Sequence, residues 1–468
     1  QEQEAALESI LDMCASLTRL DLLMKAGLLP LLISALRSKD SILLRENAAG
    51  IMWNLSDDPT VAQAVIKAKA VPLLVDLLRY EADDKNSSDI AKEEAAGALW
   101  YLADYDSCKS GILKKDGIQV MINALMADDT TDFTKENLAG ALWNLSFDPS
   151  CVDAIMRSPK SHDPIAALSK LIVKGTVVAQ ENAAGALMRI SLARPYRENL
   201  KNCSGAIPAL VQLLAFGSGL SRENACGALH NIATDDQQTQ RLVVEEGAVP
   251  PLVRLLQDEF PVTTRTRAAL CLRTLAQNPD NKQEISQAGS VEQLVRALQE
   301  EDVMLQIHIV EALWGLAHEN EANKVFIGQS GAIPKLVSIL KSGNETAKVR
   351  AAGTLGTLAE NKTNSTAIVR SGALDTLVSM VSNGKRESQR EAAHALSNLS
   401  IGSEYAQKTV LKKLKGGAKI GVNAEERNNI MSVQIKLNEL GVIDDAEFYE
   451  VYQGEKAGLG KRSPRHRR

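Results

Sequence analysis

One phrase, lightly varied, returns five times in the first half of this chain. It reads ENAAGIMWNLS at residues 46–56, EEAAGALWYLA at 93–103, ENLAGALWNLS at 136–146, ENAAGALMRIS at 181–191 and ENACGALHNIA at 223–233. With Asn54 as a reference column, the equivalents are Tyr101, Asn144, Arg189, Asn231, Thr274, Gly315, Thr357 and Asn398. The intervals run 47, 43, 45, 42, 43, 41, 42 and 41 residues. A unit of that size cannot close a core alone, so neighbouring units must stack and share one. A second phrase keeps the same period: AGLLPLLISAL (26–36), SGAIPALVQLL (204–214), EGAVPPLVRLL (246–256), AGSVEQLVRAL (288–298), SGAIPKLVSIL (330–340) and SGALDTLVSMV (371–381). Its Gly ends one short helix and turns the chain, and Pro suits the first turn of the next, where its missing N–H would be unpaired anyway. Each unit therefore reads as a short helix, a turn, a second helix and a longer third helix ending in the first phrase.

Three helices at a period of about 42 residues, together with SGAIPALVQLL and ENACGALHNIA, resemble the armadillo repeat of the β-catenin, yeast vacuole-scaffold and plant armadillo type. The resemblance implies an all-α, right-handed superhelical armadillo-repeat solenoid of about nine three-helix repeats over residues 17–402, with terminal caps. Residues 1–16 are expected to form an N-terminal capping helix. Residues 403–452 are expected to form a degenerate repeat or C-terminal cap, with Ile430, Val433, Leu437 and Leu440 on a covering helix, and 453–468 a basic tail ending in KRSPRHRR. That tail is expected to be disordered, and nuclear targeting, anionic surfaces and the acidic groove are all candidate destinations for it.

A helical wheel separates the faces of the third helix. In the first unit Ala48, Ala49, Met52 and Leu55 gather on one side, and Asn47, Gly50, Asn54 and Asp57 fall opposite. Because third helices line the concave surface of armadillo proteins, the resemblance makes this polar stripe the groove. Only 4% of the residues are aromatic, yet Trp53, Trp100, Trp143 and Trp314 all stand one place before the reference column. The indoles either meet a bound partner or pack on the next unit. The resemblance gives Asn54, Asn144, Asn231 and Asn398 the role of hydrogen-bonding the backbone of an extended peptide, since an amide offers both a donor and an acceptor. The alternative is that these amides fix the neighbouring helix. Tyr101, Arg189, Thr274, Gly315 and Thr357 interrupt the column; Arg189 among them, and His230 one place before Asn231, are further groove candidates.

Eight places before the reference stand Glu46, Glu93, Glu136, Glu181 and Glu223, followed by Thr266, Ile307, Val349 and Arg390. An acidic row beside indoles favours Lys/Arg-rich segments on the first five repeats, through ion pairing and cation–π contact. A plain solvated face, or complementing of the helix dipole, is the alternative.

The remaining signals exclude more than they assign. Net charge is −5 with 45% hydrophobic residues, enough for a large core. The six cysteines show no CxxC spacing, as free thiols in a reducing compartment would. The Cys226–His230 pair lacks further metal ligands nearby, and GEKAGLGKRS has the wrong glycine separation for a phosphate loop. We therefore expect no cofactor, no metal, no nucleic acid, no membrane span and no catalysis. The expected role is a scaffold or adaptor for other proteins, in the cytoplasm and also the nucleus. Two alternatives are a nuclear-transport adaptor for basic cargo and the substrate-recognition array of a ubiquitin ligase. The import adaptors' Trp four places before Asn is replaced by Gly50, Gly97, Gly140, Gly185 and Gly227. The chain opens at Gln1 rather than Met, which leaves room for an upstream domain or lipid anchor.

Overall fold

Ser41, Ser88, Thr131, Thr176 and Ser218 each stand before a long helix and accept a hydrogen bond from a backbone N–H three residues on. Such caps satisfy donors that the first helical turn leaves unpaired, worth about 1 kcal/mol each. The helices they open are the inner helices of the first half of a computed structural model that describes residues 2–14, 24–79, 88–114 and 116–417. Every helix and 3-10 turn among these residues follows the repeat period, and no strand occurs among them. The helix expected around Ile430–Leu440 and the basic tail lie outside the described residues.

The chain divides into two compact units, Gln1–Thr239 and Gln240–Arg468. In the first, α1 (Glu2–Cys14), α2 (Ile42–Leu55), α3 (Asp89–Leu102), α4 (Asp132–Leu145), α5 (Val177–Leu192) and α6 (Gly219–Ala233) lie side by side in chain order. The helices Leu28–Leu36, Val71–Leu77, Gly117–Met126, Pro164–Lys174 and Ala206–Phe216 each cover the inner helix that follows. The second unit repeats this with inner helices α7 (Val262–Leu275), α8 (Val303–Ala317), α9 (Glu345–Leu358) and α10 (Arg386–Gly402), closed by α11 (Glu404–Gly417) against α10. The turn glycines Gly27, Gly247, Gly289, Gly331 and Gly372 take φ between 78° and 90°, where a side chain would be strained. Gly205 of the same phrase keeps a negative φ of −93°.

Alanines dominate the seams between inner helices: Ala48, Ala49, Ala95, Ala96, Ala183 and Ala184 are fully buried. Small side chains bring the helix axes close, and buried amides then staple them. Asn137, Asn182 and Asn224 donate from Nδ2 to the backbone carbonyls of Glu93, Glu136 and Glu181, one unit back, at 3.4, 3.2 and 3.4 Å. The second unit places its staples on the first helix of each repeat. There Asn281, Asn323 and Asn364 donate to the carbonyls of Gln240, Lys282 and Lys324 at 3.0, 3.3 and 2.8 Å. These contacts correct one expectation. Asn47 and Gly50, assigned to the open stripe by the wheel, are buried in the seam, because the wheel treats a helix as having one packed side and these helices have neighbours on both flanks.

The glycines four places before the reference column explain the indoles. A Cβ at Gly97, Gly140 or Gly185 would sit under 3.0 Å from the rings of Trp53, Trp100 and Trp143 respectively. Each indole therefore lies flat on the bare backbone of the next inner helix. Leu11 of α1 reaches the same place over Gly50, 3.3 Å from where a Cβ would be. Thus α1 occupies the position of an inner helix. Gly140→Ala is expected to destabilise the protein by ~1–3 kcal/mol, because it overpacks the seam. Gly219→Ala, with open space around its Cβ position, should leave the urea midpoint unchanged or raise it. Equal midpoints for the two variants would contradict this packing.

Candidate functional site

The helix pitch and the seams leave one strip of each inner helix uncovered, and it carries most of the residues singled out from the sequence. The acidic row has a specific local cause. Ser88, Thr176 and Ser218 donate their hydroxyl protons to Glu46, Glu136 and Glu181 of the preceding unit, and Thr131 does so to Glu93 at 3.4 Å. Ser41 donates likewise to Glu4 of α1 at 2.6 Å. Each hydroxyl accepts from its own helix and donates to the neighbouring carboxylate, so the negative charge sits beside the positive end of the next helix dipole. Glu136 is buried, and Glu46, Glu93, Glu181 and Glu223 are half-buried. Pro261, which carries no hydroxyl, stands before α7.

Trp53, Trp100 and Trp143 are half-buried, with one ring face on glycine. Trp53 also meets Phe133 of α4, ring centroids 5.9 Å apart. Trp314 departs from its column: 41% exposed, it stacks on His318 at 5.0 Å. Three of the reference-column amides bond within the protein. Asn144 donates to the Trp100 carbonyl at 3.1 Å, Asn398 to the Gly356 carbonyl at 3.0 Å and Asn231 to the Ser191 hydroxyl at 3.0 Å. Asn231 is 8% exposed, whereas Asn54, Asn144 and Asn398 are half-buried. Arg189 lies over the Phe147 ring, its guanidinium carbon 3.5 Å from the centroid. His230, on the next inner helix, is half-buried.

Glu94 is the exception that sequence reading left unexplained. It occupies the staple position held by Asn137, Asn182 and Asn224 in later units. Its carboxylate instead lies over Gly50, and burial, with Glu93 and Glu46 nearby, raises its pKa to about 7. The substitution of Glu for Asn was visible in the alignment of repeats; its cost required the seam.

In the second unit the same strip carries an ion network around a cleft of about 350 Å³, lined by Arg273, Glu311, Trp314, Arg350, Arg390 and Glu391 among others. Arg273 meets Glu311 at 2.5 Å, and Arg350 meets Glu311 and Glu387 at 3.0 and 3.1 Å. Burial alone would raise the Glu311 pKa, but hydrogen bonds from His308 and Arg273 and the charge of Arg350 hold it at about 2. Burial pushes the thiols of Cys108 and Cys271 to about 12, so they are not poised as nucleophiles. Among the described residues no group of three or more His, Cys, Asp or Glu could hold a metal ion, and no helix is long and apolar enough to cross a membrane.

Helix triplets stapled at this period define an armadillo-type array, and comparison with known proteins agrees. The family model described as Armadillo/beta-catenin-like repeat matches residues 58–104, 204–234, 235–277, 278–318, 320–360 and 361–401, just over half of the chain. The chain belongs to that family. A crystal structure of an engineered protein from a structural genomics consortium is similar at a TM-score of 0.73 and 27% identity, covering 87% of this chain and 98% of its own. A second engineered protein from the same source aligns at 28% identity over 51% of this chain and 99% of its own, with a TM-score of 0.48. No curated protein matches.

The Glu94 shift has a pH signature. Its folded pKa lies above the unfolded value, so the folded state binds more protons between about 4.5 and 7. Its contribution to stability is therefore most favourable at low pH and falls as pH rises through 7. Glu94→Gln is expected to raise the urea midpoint at pH 8 and to leave it nearly unchanged at pH 4.5. A difference between variant and wild type that does not vary with pH would show that the carboxyl is not desolvated.

Proposed function

We propose that the protein is a non-catalytic interaction scaffold whose first unit holds extended, Lys/Arg-rich segments of other proteins across its inner helices. The observation that carries the reading is the row Glu46, Glu93, Glu136 and Glu181, held at one place on four successive helices. Each accepts from a neighbouring hydroxyl through one carboxylate oxygen. An ionised carboxylate has lone pairs for more than one donor, so the half-buried Glu46, Glu93 and Glu181 retain capacity for a cation from outside, with Glu136 buried between them. The second ring face of Trp53, Trp100 and Trp143 offers cation–π contact at ~0.5–2 kcal/mol per cation. Armadillo arrays generally serve as binding scaffolds, which is the coarser reading the family supports. The reference-column amides fit a peptide role as auxiliary groups: Asn144 and Asn398 use Nδ2 internally, and Oδ1 can accept from a peptide N–H.

Truncating the tryptophans would not isolate this function, because the rings also fill the seams. Conversion of Glu46, Glu93, Glu136 and Glu181 together to Gln keeps an acceptor for each capping hydroxyl and removes four charges. At low salt this variant should bind a Lys/Arg-rich decapeptide about tenfold or more weakly than wild type, with the gap closing as salt is raised. Undiminished affinity in a calorimetric titration would remove the acidic row from the proposal.

A further inference from the structure

One more column on the first unit is exposed and apolar. Eleven places before the reference, in the first turn of each inner helix, stand Leu43, Ile90, Phe133, Val178 and Leu220. All five are large apolar side chains between 38% and 58% exposed. Most other large apolar residues on these helices are buried or half-buried, with Tyr101, Val177 and Leu192 the exposed exceptions, so five exposed ones at one position are not the scatter expected of a surface. The second unit does not continue the column: Thr263, Thr346 and Glu387 occupy the matching places, all exposed, with Met304 the apolar member. At Phe133 the column meets the indoles, through the ring contact with Trp53. Along each helix the acidic row lies one turn further in, so apolar and carboxylate rows run next to each other across α2 to α5.

We infer that this surface docks an extended segment in which apolar and Lys/Arg residues alternate, the apolar side chains meeting Ile90, Phe133 and Val178 and the cations the glutamate row. The inference rests on the groove reading above and names the pattern it recognises. Alternation follows from geometry: successive side chains of an extended chain point to opposite sides, so a strand crossing the helices between two rows sends every second residue to each. Charge selects the polar half, since Glu46, Glu93, Glu136 and Glu181 take hydroxyls rather than cations as the partners described above. An amphipathic helix would fit less well, because its apolar residues recur at three and four places and leave no cation for each carboxylate.

Two acetylated peptides, five Lys-Val repeats and five Lys-Ser repeats, separate the apolar contribution from charge. Calorimetric titration of the full chain should show the Lys-Val peptide binding about tenfold or more tightly than Lys-Ser. The triple variant Ile90→Ser, Phe133→Ser, Val178→Ser should bind both peptides with the wild type's Lys-Ser affinity. Ile90→Ser alone, at the most exposed site, should lose part of the preference and serves if the triple variant melts early. Equal binding of the two peptides by wild type, or a preference that survives in the variants, overturns the apolar column and leaves the acidic groove standing. Absence of binding by either peptide overturns both readings.

Discussion

Close approach of neighbouring inner helices is the constraint on which the rest depends. It is achieved by alanines in the seam and by glycines on which Trp53, Trp100 and Trp143 lie. Once the axes are this near, an amide from one helix can reach a backbone carbonyl of the last, as Asn137, Asn182 and Asn224 do. A carbonyl already engaged in its helix has a second lone pair, so the staple adds a bond without removing one. The same proximity lets a capping hydroxyl touch the preceding glutamate. Packing, capping and charge placement are therefore one arrangement repeated, and they stand or fall together in each seam.

That coupling bears on function. The glutamates of the first unit are placed by structure, so a structural device sets a row of carboxylates at one position on successive helices. In the second unit the corresponding places are taken by other residues, and Arg273, Glu311 and Arg350 neutralise one another instead. The two units thus offer different chemistry on one type of scaffold. Repeat proteins can vary one strip of each helix in this way because the seam residues are not the ones exposed.

Much of the architecture was legible in the residues. The period, the turn glycines and the Pro-opened second helices marked the triplets, and the strict columns marked the inner helices. The site was legible as a set of columns and not as a set of roles. Periodicity reports that a position recurs, whether it recurs for a partner or for the next repeat. Trp53 and Trp314 share a column, yet one lies on Gly97 and the other on His318. Over Gly353, the glycine that matches Gly97 in the helix after Trp314, a Cβ would meet Glu391, 2.8 Å away, and no indole.

The sequence by itself determined that short helices recur at about 42 residues, belong to the armadillo family, and set aside one column for Trp and one for Glu. Only the tertiary structure decided which columns face a neighbour and which face solvent. A helix with neighbours on both flanks has two packed sides, and a single wheel cannot separate them. Asn47, Gly50 and Asn231 consequently lie within the protein, while the apolar Ile90 and Phe133 stand on its surface.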